Sequence, residues 1–513
     1  LHSVSFRNLA LQREYVRVLA RRWKQAGNVV YNLANEAYVR DPDHTQMDKE
    51  AAQWSGIPES NGSLRDSLLF RRWASELTAV IRQVGANQPV IPGYMFSLSN
   101  GGDSYLANLD ADIAPWHCYL GDLTGVTLNY FDPTCANRPI ILEEFGTLGW
   151  NSEGNYEANT HLALAAGASA AMSYEWGVSR LAPEMSFYPT PLRESADWRP
   201  DPRAFEPYIE IGNSWPSRVV GICATPSGFG YGSIYHGTPF PAAAALALSR
   251  LGLMGNGLGR SARPESVYVL IRTAKLDNME AYYRAFRRLW REKTIFGVWR
   301  EDCIDSLPDS ARVVVCPDGL SPLSEAVFRE RHRSGLTVLR GDDWQLPASV
   351  PRIEVSSGSE IDLMVRRTTD GSLYVLVGGQ SKHPTTIRTE AGSTVALGVD
   401  GYAMVHERSS EVTLVEASGE VAIDARRFCR VSQGRAIVAS SDNAGLPNAG
   451  SVRLVVTHPT RVQFAREIAR VSVLDEFGGG PAVAEDRGCR HGCTLDIDAE
   501  LSRYLLEVFL EAE

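Results

Sequence analysis

Short apolar runs alternate with amphipathic helical stretches from residue 1 to about residue 200, and no other feature of the chain restricts its fold as strongly. Leu11, Tyr15, Val18, Leu19 and Trp23 recur at helical spacing, as do Leu69, Phe70, Trp73, Leu77, Val80, Ile81 and Val84. Around them lie the short apolar segments 29–34, 90–94, 113–119, 140–144 and 170–176, which read as strands. A strand–helix–strand alternation on this scale predicts a parallel sheet, either doubly wound or closed as a barrel.

The rest of the 513 residues changes character twice. Residues 267–271 are a continuous apolar strand and 278–292 an amphipathic helix. Val313-Val314-Val315 and residues 336–339 are further buried strands, with a helix over 323–333 between them. This predicts a small α/β domain over 263–347. From 348 to 513 the period drops to two, turns are frequent and helices nearly vanish. One or two antiparallel β-sandwiches are expected there, with Asp370-Gly371 as a hairpin turn.

Charge and cysteine usage exclude several classes of function. Lys plus Arg is 51 against 61 Asp plus Glu, a net charge of −10 that disfavours nucleic-acid binding. No run of about 18 apolar residues predicts a membrane-spanning helix. The eight cysteines are spread too thinly for a disulfide framework. The one close pair, Cys489 and Cys493, lacks two further ligands nearby, so a hairpin turn is expected there and no metal. Residue 1 is Leu and no secretion signal is visible, which leaves the compartment unassigned.

Two segments carry chemistry. Tyr31-Asn32-Leu33-Ala34-Asn35-Glu36 is an apolar strand that ends in Asn and then Glu. Pro139-Ile140-Ile141-Leu142-Glu143-Glu144-Phe145-Gly146 again delivers carboxylates to a strand end, about three βα units further on. In parallel α/β folds, residues at the C-terminal ends of strands face the active site. Taken singly, Asn35-Glu36 is equally a helix cap and Glu143-Glu144 a surface pair. Together they are the two-carboxylate arrangement of a glycosidase, which needs no cofactor.

These residues resemble the clan A glycoside hydrolases. The run from Asn28 to Glu36 is similar to the fourth barrel strand of the cellulase- and mannanase-type family 5. Ile141 to Gly146 is similar to the seventh, where the Glu before the aromatic-Gly pair is the nucleophile. The resemblance implies a (β/α)8 TIM barrel over 1–262, with Glu36 as acid/base and Glu144 as nucleophile. It also implies Asn35 on the substrate 2-hydroxyl, His117 and Tyr119 positioning the nucleophile and the sugar, and Trp176 stacking under the sugar. The segment Tyr174 to Arg180 is closer to the family 42 β-galactosidases, and that resemblance implies a small flavodoxin-like domain after the barrel, over 263–347. Strand alternation is expected to put Leu142 and Glu144 on one face and Glu143 on the other.

Only barrel strands four to eight are visible, so strands one to three are expected upstream, on roughly 100 residues at the usual spacing. The implied partner is a carbohydrate, with neither nucleic acid nor membrane, and a homo-oligomer contact is assigned to 263–347. The alternative is a non-catalytic carbohydrate-binding or assembly protein with a degenerate barrel. An amidotransferase built on Cys316 is disfavoured, because Pro317 follows it and no Gly-x-Cys-x-Gly elbow surrounds it.

Overall fold

The computed structural model describes residues 8–34, 62–93, 110–118, 139–145, 164–165, 170–173, 265–272, 279–332, 335–356, 361–367, 370–378, 383–399, 401–442, 444–456, 460–476, 490–498 and 504–511. The chain is a mixed α/β protein with a large antiparallel region.

Among the described residues, two small parallel sheets come first. β1 (Tyr31–Asn32) pairs with β2 (Val90–Ile91), and β3 (Ala114–Cys118) pairs with β4 (Ile140–Phe145), which pairs with β5 (Ala170–Ser173). Asp112 links the two groups: its N–H donates to the Val90 carbonyl at 3.2 Å, and its Oδ2 accepts the Val90 N–H at 2.8 Å. Arg82 grips the same carboxylate at 2.5 Å while its other Nη bonds the Ala86 and Gln88 carbonyls. Within each group the strands are parallel and follow chain order.

Helix α1 (Leu9–Trp23) packs on α2 (Gly62–Gln83). On α2 the buried face is the predicted one: Phe70, Trp73, Leu77, Val80 and Ile81. α1 is the expected helix, but most of the apolar residues that mark its spacing lie off its buried face. Leu9, Gln12, Val16 and Ala20 are buried, whereas Leu11 is 72% exposed, Tyr15 53% and Val18 55%. The cause is polar and steric: Trp73 Nε1 donates to Gln12 Oε1 at 2.8 Å, and Ala20 is small enough to bring the helices together.

The small α/β unit is a four-stranded parallel sheet of order β7-β6-β8-β9, with β6 (Val267–Ile271), β7 (Gly297–Arg300), β8 (Val313–Cys316) and β9 (Thr337–Arg340). All five residues of β6 are buried. Helix α3 (Met279–Arg291) buries Tyr282, Phe286, Leu289 and Trp290, and α4 (Pro322–His332) buries Phe328.

Among the described residues the antiparallel region is one hydrogen-bonded sheet of fourteen strands, from β10 (Val355–Ser356) to β23 (Tyr504–Leu510). It is folded over a single core that draws on residues from Ile361 to Leu510. Two long strands turn the corner. β16 (Glu411–Ile423) pairs with β15 (Gly401–Arg408) along its first half and with β14 (Thr394–Leu397) along its second. β17 (Arg426–Ser440) divides in the same way between β18 (Ser451–Val456) and β19 (Thr460–Phe464). The ladder shifts at Gly419, as expected where a strand bends between layers.

The predicted hairpin joins β11 (Ile361–Arg367) and β12 (Gly371–Gly378). Gly371, however, serves the strand. It pairs with Arg408, and a β-carbon there would run into the Glu407 carbonyl. The Cys489–Cys493 segment does turn a hairpin: β21 (Arg490–His491) returns as β22 (Thr494–Ile497) through Gly492 and Cys493.

Candidate active site

The pairing of β1 with β2 continues past the assigned strands, since Tyr31 N–H donates to Pro89 O and Leu33 N–H to Ile91 O, both at 2.9 Å. Leu33 and Ala34 are buried, so the chain stays extended and packed up to the residue before Asn35. Gly93 clamps this end. Its φ is +75°, and a β-carbon there would meet the Ala34 carbonyl and the Asn32 Oδ1. Only glycine combines that backbone angle with so close an approach. Asn35 and Glu36 themselves lie outside the described residues, as do Tyr119 and Trp176.

For His117, Glu143 and Glu144 the described feature is backbone register. His117 on β3 is the partner of Glu144 on β4, whereas the preceding pair is Trp116 with Leu142. Glu143 is skipped. The other neighbour registers the same extra residue: Leu142 pairs with Ala171 and Phe145 with Ser173, three steps on β4 against two on β5. β4 therefore carries a bulge over Glu143 and Glu144. Bulges are rare between parallel strands and concentrate beside active sites, where they re-aim a side chain. The bulge also breaks the period of two, so the expectation that Leu142 and Glu144 share a face does not carry across it.

Two polar clusters elsewhere were not legible as motifs. In the hollow beside α2, Arg71 holds Asp110 with two bonds, of 2.7 and 2.9 Å, and Ser75 Oγ adds a third at 3.3 Å. These charges satisfy one another. At the C-terminal ends of β6, β7 and β8, Arg272 donates to Glu301 at 3.2 Å and to the Asp318 carbonyl at 3.1 Å. The Ser321 N–H, at the start of α4, donates to Glu301 at 2.6 Å. Burial opposes ionisation of Glu301, but the Ser321 and Ser324 bonds and Arg272 outweigh it and hold its pKa below the usual range. The protein's own carboxylate thus occupies a helix N-terminus that would otherwise attract an anion. Cys316, beneath it, is fully buried and its thiol is pushed up by that burial, the opposite of an activated nucleophile.

Among the described residues, no three His, Cys, Asp or Glu side chains gather as a metal site, and no helix is long and apolar enough to cross a membrane.

No family model and no curated protein matches the chain. Solved structures similar to it include a β-galactosidase from the psychrophilic Marinomonas ef1, at 11% identity over 99% of this chain and 84% of that one, with a TM-score of 0.41. A β-galactosidase from Rahnella sp. R3 matches at 12% identity over 98% and 82%, with a TM-score of 0.42. An exo-β-1,4-mannosidase, Op5Man5 from Opitutaceae bacterium strain TAV5, matches at 15% over 83% and 70%, with a TM-score of 0.40. All three are clan A glycoside hydrolases.

Proposed function

We propose that the chain is a retaining glycoside hydrolase of the clan A type, acting on β-glycosidic bonds of oligo- or polysaccharides. Residues 1–262 supply the C-terminal part of a (β/α)8 barrel, 263–347 a packing or assembly domain and 348–513 a β-sandwich region. The observation that carries this reading is the register of Glu144 with His117 near the C-terminal ends of adjacent parallel strands, in a three-stranded sheet that follows chain order.

In this reading Glu36 donates its proton to the glycosidic oxygen as the bond to the anomeric carbon breaks, and Glu144 attacks that carbon from the opposite side. The product is a covalent glycosyl-enzyme and a free alcohol. Glu36, now ionised, takes a proton from water, whose oxygen displaces Glu144 and restores both groups. Retention requires the two carboxyls to stand about 5–5.5 Å apart. Asn35 holds the 2-hydroxyl, His117 and Tyr119 orient the nucleophile and the sugar, and Trp176 supplies a stacking face. Two carboxyls complete the cycle, so the reading includes no cofactor.

The test is a panel of aryl β-glycosides assayed with the full-length protein, with the anomer of the first product read by NMR. Release of the β-anomer supports the proposal. Release of the α-anomer overturns retention, and inactivity across glucosides, mannosides and galactosides favours a binding role.

A further inference from the structure

A buried ionic cluster lies at the seam between the four-stranded parallel sheet and the antiparallel region. Glu265, just before β6, is 7% exposed, and its Oε2 accepts from Arg367 Nη1 at 2.6 Å. Arg367 ends β11. The same guanidinium holds Glu390, in the turn between β13 (Thr385–Arg388) and β14, through Nε at 2.8 Å and again through Nη2. One cation therefore serves two carboxylates that approach from different sheets.

The surroundings are fixed by further hydrogen bonds, one of which reaches another buried carboxyl. The Glu265 N–H donates to the Tyr268 hydroxyl at 2.8 Å, and Ser310 Oγ donates to the Glu265 carbonyl at 2.9 Å. Ser372 Oγ donates to Glu390 at 3.1 Å. The Tyr374 hydroxyl accepts the Glu390 N–H at 2.9 Å and donates to Glu407, on β15, at 3.2 Å. Arg366, beside Arg367, is the other charged group acting on Glu265.

With every group ionised, the trio of Glu265, Arg367 and Glu390 carries one net negative charge in a largely dry place. A single proton makes it neutral. Glu390 has the two-bond grip on the guanidinium, so Glu265 is the carboxyl that takes the proton. A neutral Glu265 still accepts the Arg367 N–H through its carbonyl oxygen. We propose that Glu265, Arg367 and Glu390 form a one-proton latch between the two sheets, closed while Glu265 is protonated and loosened when it ionises.

The acid–base balance agrees with the geometry. Burial raises the Glu265 carboxyl, Arg367 lowers it and Glu390 raises it again, leaving it pushed up to about 7. A pKa raised in the folded state means that the native chain binds a proton the unfolded chain has released. The stabilisation is full below the ordinary carboxylate pKa and is lost as pH rises through about 7.

Hydrogen exchange of the full chain read by mass spectrometry, from about pH 5.5 to 8.5 and corrected for intrinsic rates, tests the latch. Protection of peptides over β6 and β11 should fall with rising pH by up to about tenfold per unit and level off above about pH 8, the limit for one proton. Glu265→Gln, a neutral isostere, should abolish the slope. Glu390→Gln should move the slope to lower pH, because Arg367 then has a single carboxylate to serve while the burial of Glu265 remains. A flat wild-type profile overturns the proposal, as does an unchanged slope in folded Glu265→Gln or an unshifted profile in folded Glu390→Gln.

Discussion

His117 and Glu144 stand opposite each other on neighbouring parallel strands, and they do so only because β4 carries one residue more than either of its neighbours across that stretch. Without the bulge, Trp116–Leu142 would be followed by His117–Glu143. The extra residue thus decides which of two consecutive carboxylates is brought level with the histidine.

Glu144→Gln should accordingly fold normally and lose on the order of 10³-fold or more in kcat, since no other group can form the covalent intermediate. Glu143→Gln should remain active. A 2-fluoroglycoside trapping experiment with peptide mapping distinguishes them: label on Glu144 supports the register, and label on Glu143 reverses the assignment.

Glu36→Ala should lose about 10²–10⁴-fold on substrates with poor leaving groups and far less on activated aryl glycosides, which leave with little protonation. Azide should restore part of the rate by replacing the missing base-activated water. Equal losses on both substrate types would remove Glu36 from the acid/base role.

Gly93→Ala should be damaging although residue 93 carries no chemistry. The substitution places a methyl group against the Ala34 carbonyl at a backbone angle that alanine resists. A loss of about 2–4 kcal/mol in stability is expected from strain and clash together. In whatever fraction stays folded, kcat/KM should fall as Asn35 and Glu36 shift. Thermal melting beside steady-state kinetics measures both, and a Gly93→Ala variant as active and stable as the parent would show that this clamp positions nothing.

Ala425→Gly should stabilise the protein. Asp424 and Ala425 form the two-residue turn between β16 and β17, with φ of 50° and 63°. That geometry favours Asn-Gly or Asp-Gly, and alanine is held there against its preference. Asp424 already accepts the Thr394 N–H at 2.8 Å, so the first position is well filled. A gain of about 0.5–1 kcal/mol is expected, smaller than the strain relieved because glycine also loosens the unfolded chain. Urea denaturation followed by circular dichroism reads it.

The parts of the fold legible in the sequence are those where one local pattern admits one answer. Val267 to Ile271 is apolar throughout and becomes the fully buried β6, residue for residue. β7 escapes notice because Gly297 and Arg300 bracket only two apolar residues; its burial comes from Trp299 meeting the Tyr268 ring edge-on at 5.6 Å, a tertiary event. The face of α1 is misread because a glutamine and an alanine, rather than the larger apolar residues, make its contact with α2. The bulge in β4 leaves no trace in composition, since two adjacent glutamates look alike whichever one the ladder skips. The same holds for Asp112, a single acid before an apolar run, which ties two groups of strands together through two bonds to Val90.

The outward side of α1 has a colloidal consequence. Leu11, Tyr15 and Val18 form a line along the helix, with Trp23 and Val30 also exposed nearby, at 45% and 47%. Water gains by leaving such a line, and kosmotropic salts sharpen that tendency. Molecules of this chain in concentrated solution should therefore meet first along α1. Light scattering should rise with ammonium sulfate at concentrations that leave the fold intact, and the paired substitutions Leu11→Lys and Val18→Lys should move that onset to higher salt.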